Sequence, residues 1–149
     1  MNLLIIISTM IRIRVQGLIF DREGRILLVK HVKNGLEYYV LPGGGLEYRE
    51  TLIEGLSREL KEELNIREIF SAKLIDLREF IDSNSDRHVI DIYFYVNANI
   101  EEVKLSEEDG ILKGFDFFSL ENLSKVTVYP SEEFIKHLVE LSVGKIIKK

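Results

Sequence analysis

A stretch of 23 residues, 44–66, constrains the fold of this chain more than any other part of it. It begins with glycines, and its later apolar residues recur at the spacing of one helical face: Ile53, Leu56, Leu60 and Leu64. Thr51 followed by Glu54 fits the capping box that begins helices. The pattern therefore predicts a glycine-rich turn followed by an amphipathic helix that starts near residue 51.

The predicted helix carries three carboxylates close together on its polar face. Glu59, Glu62 and Glu63 stand at i, i+3 and i+4, so at about 3.6 residues per turn they fall within an arc of roughly 100°. Like charges at this spacing repel each other by about 0.2–0.5 kcal/mol per pair. A hard cation such as Mg²⁺ turns that repulsion into attraction, and it commonly shares its ligand shell with substrate phosphates. The pattern predicts a metal site that acts on a phosphate compound.

The same segment resembles the Nudix box, G-x5-E-x7-R-E-U-x-E-E-x-G-U, in which U is a bulky aliphatic residue. Gly44, Glu50, Arg58-Glu59 and Glu62-Glu63 occupy fixed positions of the box, and Asn65 replaces only its final glycine. That position ends a helix in a left-handed backbone, for which asparagine is the next-best residue. With a matching lead-in at residues 41–45 and a late aromatic-aromatic-Ser-Leu segment, the resemblance covers roughly residues 10–141.

The resemblance implies roles for the charged residues of the box. Glu62 and Glu63 would be metal ligands, and Glu59 would be a third ligand or the general base. Arg58 would orient these carboxylates through charge-assisted hydrogen bonds, and a structural salt bridge is the plainer alternative. The implied catalytic set is therefore Arg58, Glu59, Glu62 and Glu63, and the implied cofactor is Mg²⁺, with Mn²⁺ as the alternative.

The resemblance also assigns supporting roles around the helix start. The carbonyl of Gly43 or Gly44 would be a further metal ligand, because a glycine turn lets the backbone approach the ion; a merely flexible turn is the alternative. Glu50 would support Arg58 or join a metal shell. The family often draws another acid from the loop before its last strand, where this chain has Glu107, Glu108 and Asp109.

The substrate is less constrained than the chemistry. Candidate contacts are basic and aromatic residues near the predicted strands: Arg12, Arg14, Tyr38 and Phe118. Strand aromatics are more often core residues, and lone basic residues are more often simply exposed. A proline that many ADP-ribose pyrophosphatases carry after the box would fall near Asp82, and this chain lacks it. That absence favours a MutT-like enzyme acting on a (d)NTP or related nucleotide, with an ADP-ribose or nucleotide-sugar pyrophosphatase as the alternative.

Composition agrees with a single globular domain spanning residues 1–149. Hydrophobic residues make up 46% and charged residues 30%, as in soluble globular proteins. The net charge of −5 argues against a nucleic-acid surface, and the absence of cysteine excludes a thiolate nucleophile. The expected partner is a nucleotide-type small molecule, with neither nucleic acid nor membrane, and the expected location is the cytoplasm. A homodimer is a further expectation, based on the family and on apolar residues within a possible extension at 1–9.

The order of predicted elements indicates an α+β class. A strand at 11–16, a turn at 21–24, a strand at 26–29 and a second turn at 33–35 precede the box helix. A long hairpin follows around residues 83–86, and Ser131 is the predicted N-cap of a last helix. The order resembles the Nudix α/β/α sandwich, in which a mixed sheet lies between helices. Two other functions stay open: a Nudix-fold sensor that binds a nucleotide without hydrolysing it, and a structural protein with a chance acidic helix.

Overall fold

The computed structural model describes residues 10–106 and 110–147, and side chains as far as residue 144. The possible extension at residues 1–9 lies outside this range. Within these residues, seven strands and two α-helices follow in chain order: β1 (Arg12–Leu18), β2 (Ile26–Lys33), β3 (Leu36–Val40), β4 (Gly43–Gly45), α1 (Leu52–Leu64), β5 (Ile69–Ile81), β6 (His88–Ala98), β7 (Leu112–Phe118) and α2 (Glu132–Ile147). A short 3-10 helix, Glu121–Lys125, precedes α2.

The strands form two sheets rather than one. The first has the order β4-β1-β6-β5 and is mixed, because β1 runs parallel to β6 while its other pairs are antiparallel. The second has the order β3-β2-β7 and is antiparallel throughout. The predicted α+β class is confirmed, and the predicted mixed sheet is one of the pair.

Apolar residues form two cores, one on the side of each helix. Alternate residues of a strand point to opposite faces. In β2, accordingly, Leu27 and Val29 pack in the core that includes Leu56 of α1, whereas Ile26 and Leu28 pack in the core that includes Leu138 of α2. Layers of helix, sheet and helix result, which is the predicted sandwich.

The box helix begins and ends as its sequence predicts. Thr51 Oγ1 accepts a hydrogen bond from the Glu54 backbone N–H at 3.1 Å, and Asn65 closes the helix with φ 57° and ψ 27°, a left-handed conformation. Leu56, Leu60 and Leu64 are fully buried. The prediction was wrong for Ile53, which is 42% exposed; in the first turn Leu52 packs against the core instead.

The two later predictions of local structure are also confirmed. β5 and β6 pair antiparallel along a hairpin whose turn includes residues 83–86. Ser131 caps α2, because its Oγ accepts a hydrogen bond from the Phe134 backbone N–H at 3.0 Å. Among the described residues, no helix combines the length and apolar character needed to cross a membrane.

Candidate active site

The glycines before the box helix form a short strand at the edge of the sheet, where their sequence predicts a glycine-rich turn. β4 pairs antiparallel with β1, with Gly44 opposite Val15. Gly43 has φ 151°, and a Cβ there would collide with the Val15 carbonyl oxygen. A side chain at Gly44 would lie 2.5 Å from the Glu59 carboxylate carbon. Gly43 is required because its backbone lies against β1 with a positive φ, whereas Gly44 leaves room for the end of the flexible Glu59 side chain.

Two box carboxylates lie against this glycine strand. Glu63 Oε1 accepts a hydrogen bond from the Gly43 backbone N–H at 3.0 Å. The carboxylate of Glu59 occupies the space in which a side chain at Gly44 would lie. Gly55, in the helix itself, is also constrained, since a Cβ there would stand 2.6 Å from Leu46 Cδ1. Because these three glycines have no side chains, the helix, the strand and the carboxylates can lie in close contact.

Arg58 joins the carboxylates into one network. Its Nε and Nη2 donate to the two oxygens of Glu50 at 2.6 and 3.0 Å, a bidentate pair. Its Nη1 donates to Glu59 at 2.9 Å and to Glu62 at 3.4 Å. Nη2 also donates to the Gly45 carbonyl oxygen at 3.0 Å. The guanidinium thus touches both the helix and the glycine strand, a geometry that fixes where the carboxylates stand.

The hydrogen bonds of the network favour the charged forms of Glu50 and Arg58. The hydrogen bonds from Arg58 hold the pKa of Glu50 below its ordinary value. In turn, the hydrogen bond to Glu50 raises the pKa of Arg58. The pair remains ionised at neutral pH. The two hydrogen bonds pair Glu50 with Arg58, which corresponds to the first of the two roles that the sequence left open for Glu50.

The residues around the glycine strand fit a divalent cation by their chemistry. The carboxylates of Glu59 and Glu63 lie against the glycine strand, and Glu62 shares one guanidinium nitrogen with Glu59. All of these donors are carboxylate oxygens, the type that hard cations prefer. Over residues 10–106 and 110–147, no three acidic or histidine side chains surround a common point. Binding a cation there would therefore require side-chain rotations that bring the carboxylates to a common point.

Replacing Gly44 with alanine should reduce hydrolytic activity without unfolding the protein. The new Cβ meets the flexible end of Glu59, which can turn aside, so we expect a loss of about 1 kcal/mol or less in stability. The displaced carboxylate should lower kcat by about 10- to 100-fold. Steady-state kinetics and thermal unfolding measure the two effects. Gly144→Ala is the control, because a Cβ there meets nothing within 4 Å; equal kinetics for both variants would contradict the assigned contact.

The structure separates the four predicted substrate contacts. Arg14 and Tyr38 line a cavity of about 610 Å³ beside β1. Arg12 is not among its lining residues and reaches over Gly45 instead. Phe118 is 8% exposed and packs against Tyr39 with ring centroids 4.8 Å apart, which favours the core alternative for this residue. Aromatic residues in strands more often belong to the core than to a binding site.

Sequence reasoning missed two polar residues of that cavity, Gln16 and Asp91. Both are buried, and Gln16 Nε2 donates to Asp91 Oδ1 at 2.8 Å. Arg14 and Arg78 lie 3.4 and 3.5 Å from the same carboxylate. A signal was present in the sequence, because Asp91 is the one charged residue within the apolar run 89–96.

The three additional acids, Glu107, Glu108 and Asp109, lie outside the described residues and remain predictions. The described residue before them, Ser106, is held against the end of the box helix. Its backbone N–H donates to the Glu63 carbonyl oxygen at 3.0 Å. Lys104 makes a similar bond to the Leu64 carbonyl at 3.2 Å. The loop therefore satisfies two carbonyls that the helix end leaves open.

Comparison with known proteins agrees with the box and its geometry. The family model described as the NUDIX domain matches residues 10–138, which is most of the chain. The chain belongs to the Nudix family. Its class as a Nudix pyrophosphohydrolase and its Nudix fold, both predicted from the box, are confirmed.

Relatives of this Nudix protein include proteins known by sequence and by structure. A protein of Methanocaldococcus jannaschii named ADP-ribose pyrophosphatase is 32% identical over 133 residues, covering 89% of this chain and 75% of the relative. The crystal structure of a MutT protein from Methanosarcina mazei Go1 has a TM-score of 0.71 and 25% identity, covering 87% of this chain and 94% of that one. The solution structure of the E. coli ORF135 protein has a TM-score of 0.72 at 19% identity, covering 92% and 94%, and shares the fold.

Proposed function

We propose that this Nudix protein hydrolyses, with Mg²⁺, the pyrophosphate linkage of a nucleoside diphosphate joined to another moiety. The observation that carries the proposal is the Arg58 network, in which one guanidinium contacts Glu50, Glu59 and Glu62 beside the Gly43–Glu63 hydrogen bond. An array of carboxylates on a rigid helix suits the binding of a metal–diphosphate complex.

The box residues divide the work of that reaction. Glu62, Glu63 and Glu59 would hold the cation, together with a carbonyl of Gly43 or Gly44. The bound ion supplies charge neutralisation for the bridging phosphates and a lower pKa for water. Arg58 holds Glu59 and Glu62 at fixed positions, and Glu50 holds Arg58. Glu59, when it is not a ligand, is the candidate base that accepts the proton of the attacking water.

ADP-ribose is the substrate that we propose first. The 32%-identical relative is named ADP-ribose pyrophosphatase, and it is matched over 89% of this chain. This support outweighs the absence of a proline near Asp82, which by itself favours a (d)NTP. A (d)NTP stays the second candidate because a MutT protein matches at 25% identity.

A panel of phosphate-release assays tests the proposal. It contains ADP-ribose, nucleotide sugars, and canonical and oxidised (d)NTPs, each with Mg²⁺, with Mn²⁺ and with chelator. Because hydrolysis of these compounds releases different products, a phosphatase or a pyrophosphatase is added as the coupling enzyme. We expect Mg²⁺-dependent turnover of ADP-ribose at least 10-fold faster than of any (d)NTP.

Two outcomes would redirect the proposal. Faster turnover of a (d)NTP would favour the MutT-like reading. Binding of a nucleotide without turnover of any compound would favour the sensor, and the catalytic roles of the box would then be wrong. Unchanged rates in chelator would contradict the role of the cation.

We also infer that the protein forms a homodimer. The edge strand β5 exposes a row of apolar side chains that includes Phe70, Leu74, Leu77 and Ile81. An exposed apolar edge strand favours pairing with another chain. Light scattering coupled to size-exclusion chromatography measures the mass in solution, and a mass of 17.3 kDa would contradict the dimer.

A further inference from the structure

The cavity of about 610 Å³ lies on the face of β1 away from the box helix. Arg14 and Gln16 line it, while the intervening Val15 points to the opposite face and packs with Leu56. Gln16 pairs in register with Gly43, whose N–H binds the Glu63 carboxylate. The strand register therefore places one end of the cavity next to the strand whose Gly43 N–H binds Glu63, on the opposite face of β1 from the box helix.

The lining of this cavity is strongly cationic although the chain carries a net charge of −5. Arg14, Lys33, Arg78 and Arg87 line it, and among the described residues that line it Asp91 is the one carboxylate. His31 adds no charge at neutral pH, because burial and the nearby Arg14 lower its pKa. A surplus of positive charge at one place on an acidic protein indicates a site for an anion.

The four cations fall into two pairs. Arg14 and Arg78 lie 3.4 and 3.5 Å from the buried Asp91, so they are neutralised in part by that carboxylate. Lys33 ends β2, and Arg87 stands just before β6. Neither forms an ion pair within 4.0 Å in the part of the chain that the structure describes, although the charge of Arg87 contributes to the lowered pKa of Asp82. Two exposed cations from two separate hairpins thus line one cavity, and neither forms a close ion pair within the described part of the chain.

Aromatic side chains also line the cavity. Tyr38 and Tyr129 contact edge to face, with centroids 4.8 Å apart, and His31 lies 5.4 Å from Tyr38. Such surfaces accept a nucleobase by stacking or by edge contact. A volume of about 610 Å³ falls within the range of sites for small ligands.

We propose that, besides the substrates named above, the enzyme accepts a nucleotide whose nucleoside carries a further anionic group, remote from the hydrolysed pyrophosphate, and that Lys33 and Arg87 bind that group. The chemistry is that of a phosphate ester on ribose, at the 2′ or the 3′ oxygen. The inference rests on the proposed function, because it assumes that the pyrophosphate lies at the box. It deepens that function by adding a second phosphate-binding point.

Calorimetric titration tests the inference without turnover. The probes are AMP, adenosine 2′,5′-bisphosphate and adenosine 3′,5′-bisphosphate, each titrated with Mg²⁺ into the wild type and into Lys33→Ala/Arg87→Ala. We expect one bisphosphate to bind the wild type about 3- to 30-fold more tightly than AMP, the range that two exposed ion pairs supply. The double variant should reduce this preference to about 2-fold or less while its Kd for AMP stays within about 2-fold.

A variant with the same change in net charge is the control. Arg22 and Lys125 are exposed cations outside the cavity, so Arg22→Ala/Lys125→Ala should keep the preference for the bisphosphate. Equal wild-type affinities for AMP and both bisphosphates would overturn the inference. An equal loss of affinity for all three ligands in the cavity variant would also overturn it, since general electrostatic attraction would then account for the cations. The phosphate-release panel decides the proposed function separately, so either proposal can fail alone.

Discussion

Replacing Glu63 with glutamine should lower Mg²⁺-dependent hydrolysis by at least about 100-fold. The amide keeps the size of the side chain, and its oxygen can still accept the hydrogen bond from Gly43. It removes the negative charge that a cation requires, so the loss should appear in kcat rather than in the fold. Steady-state kinetics on the substrate that the panel identifies measures the effect, with circular dichroism and thermal unfolding as checks of structure.

Glu54→Gln is the matched control for that substitution. Glu54 lies in the first turn of the same helix and is exposed, and only its backbone N–H takes part in the helix cap. The activity of Glu54→Gln should stay within about 2-fold of the wild-type activity. Full activity of Glu63→Gln in Mg²⁺ would show that Glu63 is not a metal ligand, whatever the control does.

Replacing Arg58 with alanine should lower both stability and activity. The guanidinium makes hydrogen bonds to Glu50, Glu59 and Glu62, and its side chain is only 21% exposed. Without it, like charges on the helix remain uncompensated, and the Gly45 carbonyl loses a donor. We expect a loss of about 2–4 kcal/mol in the free energy of unfolding. The activity should fall by at least about 10-fold, because the carboxylates lose their fixed positions.

Arg58→Lys separates charge from geometry. Lysine keeps the positive charge but lacks the planar fork that binds both oxygens of Glu50, so it should recover stability only in part. A second readout is the pKa of Glu50, which Arg58 holds low and which should rise towards its ordinary value in Arg58→Ala. Wild-type stability from this pair is present above that ordinary value and is lost as the pH falls through the lowered pKa. An unchanged Glu50 pKa, measured by NMR titration of Arg58→Ala, would contradict the assigned pairing.

The box helix shows how far local sequence determines structure. A cap at Thr51 and a left-handed end at Asn65 depend on the chemistry of one or two residues, and both were predicted. The exposure of Ile53 was not predicted. A helical pattern identifies the apolar face of a helix, but it does not tell how far the neighbouring sheet extends beneath that face. Whether an apolar residue near the end of a helix is buried depends on the tertiary packing of the helix against the sheet.

The candidate site divides in the same way. Sequence alone determined which residues are the carboxylates and the arginine of the box, because their spacing on one helix is fixed by the helical repeat. Only the tertiary structure determined that Gly44 makes room for Glu59, that Glu50 pairs with Arg58, and that Asp91 anchors the cavity beside β1. These contacts join residues that are distant in the chain or lie on different elements. Their partners are selected by the packing of strands and helix, which no local pattern encodes.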